Sequence, residues 1–595
     1  MEEQKEGVTH SRGCDPNEIA LKSFFLGPQA ENAEMAKRIF QHIIDRWIAW
    51  RQKRFPADGC AISLGDQNTS EYKNDLDKIN AAVNELLLRF ELEVPKFSPR
   101  YIGHMFSEIS LPALFGHCIS LLHNPNNVSV EASRVGSKIE KEAIIELLKM
   151  CGYDTKNGTG HFTSGGTVAN FEAAIRAKWR MSRWLSVACM SKQQNLFKGT
   201  FFEAANLGWQ QYQQLNRQLN FANVKTNEFD IYHSSQVNSS RRIAVQFGDY
   251  NEPVLLIPEH RHYSWEKIAV LQGYGKENLL PIELDKHGTM SVSDLKRKIE
   301  FCRKEQRPIL MIVSVLGTTE LGLVDPIYDI QRLIDEYKKT NGAFIWHHID
   351  AAFGGFFCSL KDSHGLIDEN FKRNLTTVSL ADSVTVDPHK LGYVPYACGA
   401  FLLKDKRENR LPIQDTPYID FHESDIGHFT FEGSRSAAGA TATWLTAKTI
   451  GFNSDGYGRI LRRTIEAGRI LRQALKETVK DVHIPTSADT NILCFCVGKT
   501  GEPVTAVNQR TRQIFEHFSP HKDSDFYVSK TDIDLKTYSE FIDVNLPDWS
   551  PSKNCSHLTL IRVCLMNPFF TSIEPTVRYP AAFAESLAKF LQSLN

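Results

Sequence analysis

The run Ser383-Val384-Thr385-Val386-Asp387-Pro388-His389-Lys390-Leu391-Gly392-Tyr393 puts a lysine just past a short apolar stretch. Val384 and Val386 suit a buried strand, and Pro388 ends its ladder by removing a donor and fixing φ, so His389 and Lys390 fall at the strand exit. Open α/β sheets bind ligands at such rims; a lone lysine is otherwise an ordinary surface residue. A second exit lies upstream, His348-Ile349-Asp350-Ala351-Ala352-Phe353-Gly354-Gly355, where an acid follows an apolar run and is trailed by residues too small to fill a core. A lysine and an acid at neighbouring strand ends have one well-known joint use, holding pyridoxal phosphate. The amine condenses with the aldehyde, and the carboxylate keeps the pyridinium nitrogen protonated, which makes the ring an electron sink.

Composition narrows the alternatives. Across 595 residues, 69 basic and 70 acidic side chains leave a net charge of -1, so no global field argues for nucleic acid or an anionic membrane surface as partner. The 12 cysteines, among them Cys60, Cys118, Cys151, Cys302 and Cys564, show no Cys-x-x-Cys spacing, which favours reduced thiols and gives no metal site. The N-terminus Met1-Glu2-Glu3-Gln4-Lys5-Glu6 is charged, and no run is long and apolar enough to span a bilayer; a soluble cytoplasmic protein is expected.

The lysine and the acid need elements to hold them. In His161-Phe162-Thr163-Ser164-Gly165-Gly166-Thr167-Val168-Ala169-Asn170, paired glycines precede the helical pattern of Phe171, Ala174, Ile175 and Trp179. A loop entering a helix N-terminus offers unpaired N–H groups and a positive dipole end, so Gly166 and Thr167 are candidates for a phosphate seat; alone, the pattern reads equally as a plain helix start. Val254-Leu255-Leu256-Ile257 and Ile309-Leu310-Met311-Ile312-Val313 are continuous apolar runs that fit parallel strands buried on both faces. The first exits into Pro258-Glu259-His260-Arg261-His262-Tyr263-Ser264, the second into Gly317-Thr318-Thr319-Glu320, and a helix through Ile330, Leu333, Ile334 and Tyr337 comes after Asp325-Pro326. Strands alternating with helices predict an α/β domain with a mostly parallel sheet and active residues at strand ends.

With His-Lys after Asp-Pro and Asp-Ala-Ala after His-Ile, the chain resembles the group II pyridoxal-phosphate amino-acid decarboxylases from about Ala20 onward. Asp-Pro-His-Lys-Leu-Gly-Tyr-Val-Pro-Tyr is most similar to the bacterial tyrosine decarboxylases. The resemblance implies the type I aminotransferase-like fold, with a helical dimerisation segment over 1–110, a large cofactor-binding domain over 111–445 and a smaller α/β domain over 446–595. It implies a homodimer with pyridoxal 5'-phosphate as cofactor, held by Lys390, Asp350, Gly166, Thr167, Ala352 and His389. Thr319 would hydrogen-bond near the ring substituents. His262, which stands before Tyr-Ser as the family's histidine stands in His-x-Ser, would stack on the cofactor ring; His260 is the competing choice. Tyr418, in the turn-rich stretch 404–427, matches the tyrosine that protonates the substrate carbon.

Arg562 lies in the apolar strand Leu560-Ile561-Arg562-Val563-Cys564-Leu565 and needs a carboxylate, because an unpaired buried guanidinium is costly. It matches the family position that pairs with the substrate α-carboxylate; an internal salt bridge is the other reading. In Phe97-Ser98-Pro99-Arg100-Tyr101-Ile102-Gly103-His104-Met105, similar to a segment lining the family's substrate pocket, His104 is a candidate for the substrate side chain or a satisfied structural histidine. Asp387 stands where the family often has asparagine, and a carboxylate facing phosphate is repulsive, so it is expected to turn away or contact the helix side. The glutamine-rich stretch 192–242 reads as an inserted loop or helical excursion. Near the N-terminus, Met35, Ile39, Ile43 and Trp47, joined by Phe40, Ile44 and Ile48, form a helical apolar stripe that must bury against the fold or a second subunit. The resemblance favours decarboxylation of an aromatic L-amino acid such as tyrosine to its amine and carbon dioxide. Glutamate or aspartate is the alternative substrate, and a catalytically silent relative or a related carbon–carbon lyase or decarboxylative oxidase are further ones.

Overall fold

A computed structural model describes residues 21–221, 235–363, 365, 367–409, 425–486, 489–546 and 555–594. The apolar runs become the middle of a seven-stranded sheet: β1 (Thr159–Thr163), β2 (Val254–Pro258), β3 (Leu279–Ile282), β4 (Ile309–Val315), β5 (Trp346–Ala351), β6 (Ser383–Val386) and β7 (Gly399–Leu403). Their order is β1-β7-β6-β5-β4-β2-β3. The five strands from β6 to β3 run parallel; at one edge β7 pairs antiparallel with both β6 and β1, so β7 alone is reversed. Every residue of β2, β4, β5 and β6 is buried, as a sheet covered on both faces requires. Register sets Val315 beside Asp350 and Asp350 beside Thr385, so the acid stands in the middle of the row of parallel strand ends.

The helices that bear on the site and on the outer apolar faces are α1 (Ala33–Arg54), α2 (Ser70–Phe90), α3 (Leu111–His123) and α4 (Gly166–Gln193). In α4, Ala169, Ala173, Ala174 and Ala177 are buried in one cluster with Met311, Val313, Phe401 and Leu403; small side chains let the helix lie close on the sheet. The insertion is helical where it is described, as Phe201–Ala205, Gly208–Phe221 and Gln236–Gln246. Its described part has no core of its own: Phe201, Leu215, Leu219 and Ile243 join the α4 cluster with Trp184 and Leu185.

A second sheet, entirely antiparallel, has the order β10-β11-β9-β8 and consists of β8 (Val482–His483), β9 (Ile492–Val497), β10 (Ser529–Asp534) and β11 (His557–Cys564). The chain near Tyr101 joins it: Ile102 N donates to Tyr527 O and Cys564 N to Ile102 O, both at 2.9 Å. This brings a stretch far away in sequence next to Arg562.

The N-terminal stripe is only partly covered. Met35, Ile39, Phe40 and Ile43 pack against Leu111 and Phe115 of α3, with the Phe40 and Phe115 rings 5.0 Å apart. Ile48 and Trp50 stay exposed, and no residue of α2 is buried, although Leu86, Leu87 and Phe90 lie along it. Among the described residues no helix is long and apolar enough to cross a membrane, and no two cysteines are bonded.

Candidate active site

A cavity of ≈ 330 Å³ opens where α4 begins and β2, β4, β5 and β6 end. Eight residues singled out in the sequence line it together: Gly166, Thr167, His262, Thr319, Asp350, Ala352, His389 and Lys390. His260 and Asp387 line it too. Arg562 and His104 stand outside this lining, and Tyr418 lies outside the described residues.

Asp350, at the end of β5, is buried and held from one side. Its Oδ2 accepts from Asn170 Nδ2 at 2.7 Å and Trp265 Nε1 at 3.1 Å; Oδ1 accepts only a longer bond from Ala352 N, at 3.3 Å. Asn170 is oriented in turn, because its Oδ1 accepts from Thr385 Oγ1 at 2.8 Å and lies 3.2 Å from His348 Nε2. Burial pushes the His348 pKa down to about 4, so that imidazole is neutral. Sequence reasoning passed over Asn170, Trp265 and Thr385. Asn170 had a signal, since it comes one helical turn after Gly166 and shares its face.

Lys390 Nζ lies 3.1 Å from Asp387 Oδ2, and Asp387 Oδ1 is buried without a partner. The Asp387 carboxylate faces the start of α4 at Gly166 and also takes the lysine, which the sequence did not suggest. A Cβ built on Gly166 would come within 2.9 Å of both Ala352 Cβ and Asp387 Oδ2, so only glycine permits this approach of α4 to the strand ends. No side chain caps α4, which leaves its first N–H groups facing the cavity rim. His389 accepts from Cys398 N through Nδ1 at 3.1 Å and stacks on Tyr396 with ring centroids 4.1 Å apart. Burial lowers its pKa.

His262 and His260, two residues apart, have different surroundings. His262 Nδ1 accepts from Ser264 N at 3.3 Å and lies 2.8 Å from Ser264 Oγ, which leaves any proton of the neutral ring on Nε2; burial lowers its pKa. His260 is fully buried, with Nε2 2.9 Å from Asp325 Oδ1. Burial opposes its charge, but Asp325 and then Glu320 raise its pKa overall. Asp325 also accepts from Met290 N at 2.8 Å and Val315 N at 2.7 Å.

Arg562 is 5% exposed and donates to Ser529 Oγ at 3.3 Å, while its Nε is buried without a partner. Among the described residues it has no carboxylate within ion-pair distance, so the internal salt bridge is not found. Burial and then the charge of Arg562 depress the His104 pKa. A chain of rings connects them to the cavity: Phe106 stacks on His104 and Tyr101 at 5.8 Å each and meets Tyr396 edge-on at 6.2 Å.

Residues 234–497 match the family model of the pyridoxal-dependent decarboxylase conserved domain. The chain is 28% identical to the L-tyrosine decarboxylase of Enterococcus faecalis, over 97% of this chain and 98% of that protein. It is 24% identical to the aspartate 1-decarboxylase of Aliivibrio fischeri, over 95% and 94%. Among solved structures, Oryza sativa TDC with PLP and tryptamine superposes with a TM-score of 0.60 at 14% identity, over 95% of this chain and 99% of that one, and places the fold in the type I class. The cavity fits pyridoxal phosphate by its own features: an amine and an acid across one pocket, a glycine cradle that a single Cβ would fill, and an uncapped helix start for an anion.

Proposed function

We propose that this chain, which belongs to the group II pyridoxal-phosphate-dependent amino-acid decarboxylases, acts on an aromatic L-amino acid, with tyrosine the first choice, and releases its amine and carbon dioxide. The observation that carries the substrate class is the ring wall of Tyr101, His104, Phe106 and Tyr396 beside the cavity. Lys390 is the one lysine or arginine among the described residues of the lining, so an acidic side chain finds no spare cation there. An aromatic ring finds offset and edge partners instead. The aspartate decarboxylase likeness keeps the acidic substrate as the competing reading.

When bound, pyridoxal phosphate supplies an electron sink for the pair left as the Cα–carboxylate bond breaks. The chain's own residues then have separate tasks. Lys390 is the amine that would hold the cofactor, with Asp387 balancing its charge beforehand. Asp350, with Oδ2 occupied by Asn170 and Trp265, would have Oδ1 left to pair with the cofactor's pyridinium. Gly166 and Thr167 would seat the phosphate, with His389 beside them, and Thr319 and Ala352 would border the ring. His262, neutral and braced by Ser264, would lie over the ring and exclude water from that face. Arg562, with no carboxylate at ion-pair distance among the described residues, would take the substrate's. His104 would touch the substrate side chain, and Tyr418 would protonate Cα.

A homodimer is proposed from the uncovered apolar side chains of α1 and α2, which a second copy would bury. The unpaired thiols suit a reducing compartment, and the cytoplasm is the proposed location. The test is direct. Purified protein is loaded with cofactor, reduced with borohydride and digested; the adduct should be found on the Lys390 peptide. Amine and carbon dioxide are then assayed with tyrosine, tryptophan, aspartate and glutamate. Turnover of aspartate or glutamate alone would reverse the substrate assignment, and no adduct would remove the enzyme reading.

A further inference from the structure

Arg176 is fully buried in α4, and all five of its N–H donors are used. Nε and Nη2 donate to Asn409 Oδ1 at 3.1 and 3.0 Å, and Nη2 also donates to Phe429 O. Nη1 donates to the Glu172 carboxylate and, at 3.2 Å, to Glu172 O. Glu172 Oε1 in turn accepts from Phe431 N at 2.6 Å and lies 2.9 Å from His161 Nε2. One guanidinium therefore reaches the chain on both sides of residues 410–424, at Asn409 before them and at Phe429 after them.

Neighbouring contacts reinforce each side. Glu408 is held by Arg183 Nη2 at 3.2 Å and Trp209 Nε1 at 2.7 Å. The Phe431 ring lies 4.7 Å from that of Phe171, and the Glu432 carboxylate accepts from Ser164 N, in the glycine loop, at 3.1 Å. Burying an ion pair is a poor route to stability but can fix register, and a planar five-donor fork joins two strands of chain in a way that a lysine cannot.

We propose that Arg176, with Glu172 as its counter-ion, is a positioning residue that pins both segments flanking 410–424 to the helix that opens at the glycine loop. Tyr418 lies between those segments in the chain, so the pins set where that stretch leaves and re-enters the fold. Nothing in this clamp touches the amino acid directly, so its loss should act on turnover and not on substrate affinity. The turnover part rests on the proposed decarboxylation; the pinning itself does not.

Three variants of the cofactor-loaded full chain test it: N409A, which removes one pin; R176K, which keeps the charge but loses the fork; and E172Q/R176M, which removes both charges together. Trypsin cleavage after the exposed Lys406 and Arg407, mapped by mass spectrometry, should speed up about tenfold in N409A and R176K. In the same two, kcat should fall about tenfold with KM within about twofold of wild type, and cofactor affinity, titrated on the apoprotein, should stay within about threefold. E172Q/R176M should show both effects more strongly, with cleavage after the exposed Lys480 and Lys536 as internal controls unchanged. Wild-type cleavage after Lys406 and Arg407 in N409A would overturn the proposal whatever the arginine variants do, and so would faster cleavage at every site, which is plain unfolding. If wild-type protein released no carbon dioxide from any amino acid, decarboxylation would fail while the cleavage comparison still decided the clamp.

Discussion

Asp350 shows how much of this site depends on residues one layer back. Two donors on Oδ2 and one long bond on Oδ1 give the carboxylate a defined free edge. A hydrogen bond to an ionised group contributes about 1.5–3 kcal/mol, so D350N should lower kcat at least about tenfold while borohydride still traps cofactor on Lys390. Asn170 supports it from α4, and N170L should lower kcat by about tenfold with little change in KM, because Trp265 alone cannot fix the carboxylate plane. Arg562 predicts the opposite split. With no carboxylate at ion-pair distance among the described residues, its loss in R562L should raise the KM for the amino acid by at least about tenfold, and R562K should recover only part of that, since a point charge replaces a fork.

At the scale of elements, β5 carries a pH dependence. Burial pushes its tandem histidines His347 and His348 down to about 3 and about 4. The folded chain refuses protons that the unfolded chain accepts near pH 6.5, so this stability is complete above about pH 6.5 and is lost as pH falls toward 4. Each contributes about 1.4 kcal/mol per pH unit inside that window. Urea unfolding at about pH 7 and about pH 5 should show the loss, and H347Q should shrink the difference by about 2 kcal/mol. Helix α2 carries a different expectation. Leu86 and Leu87 are 56% and 60% exposed, so L86E/L87E should leave the monomer's melting unchanged yet shift a sedimenting dimer to monomer. A monomeric wild type would refute the dimer.

For the whole molecule, the candidate cofactor cavity joins a helix start to the ends of four strands, so filling it couples parts far apart in sequence. Binding at a hundredfold excess over Kd should stabilise the fold by about 2.7 kcal/mol. Removing cofactor should therefore lower the melting temperature and expose the glycine loop to exchange more than the antiparallel sheet. A uniform change across the chain, or none, would argue against this cavity as the binding place.

Much of the geography of the candidate site was readable in the chain, because parallel strands that are buried on both faces announce themselves as unbroken apolar runs and their exits are marked by proline, glycine and isolated charge. That is why Lys390, Asp350, His262, Thr319 and Gly166 could be placed at strand or helix ends before any tertiary contact was known. Periodicity also marked the stripe of α1, though only α3 revealed that its first half is covered within the chain. The family, the cofactor and the α/β class came from local pattern. Tertiary structure alone decided the partners: that Asn170 and Trp265 share one oxygen of Asp350, that Asp387 takes Lys390, that Arg562 has no acid at ion-pair distance among the described residues, and that Arg176 reaches two segments beyond residue 400. The reason is physical. Side-chain type and spacing encode which face of an element is buried, whereas the partner of a buried polar group is set by which distant element packs there, and that depends on register and crossing geometry that no local pattern records.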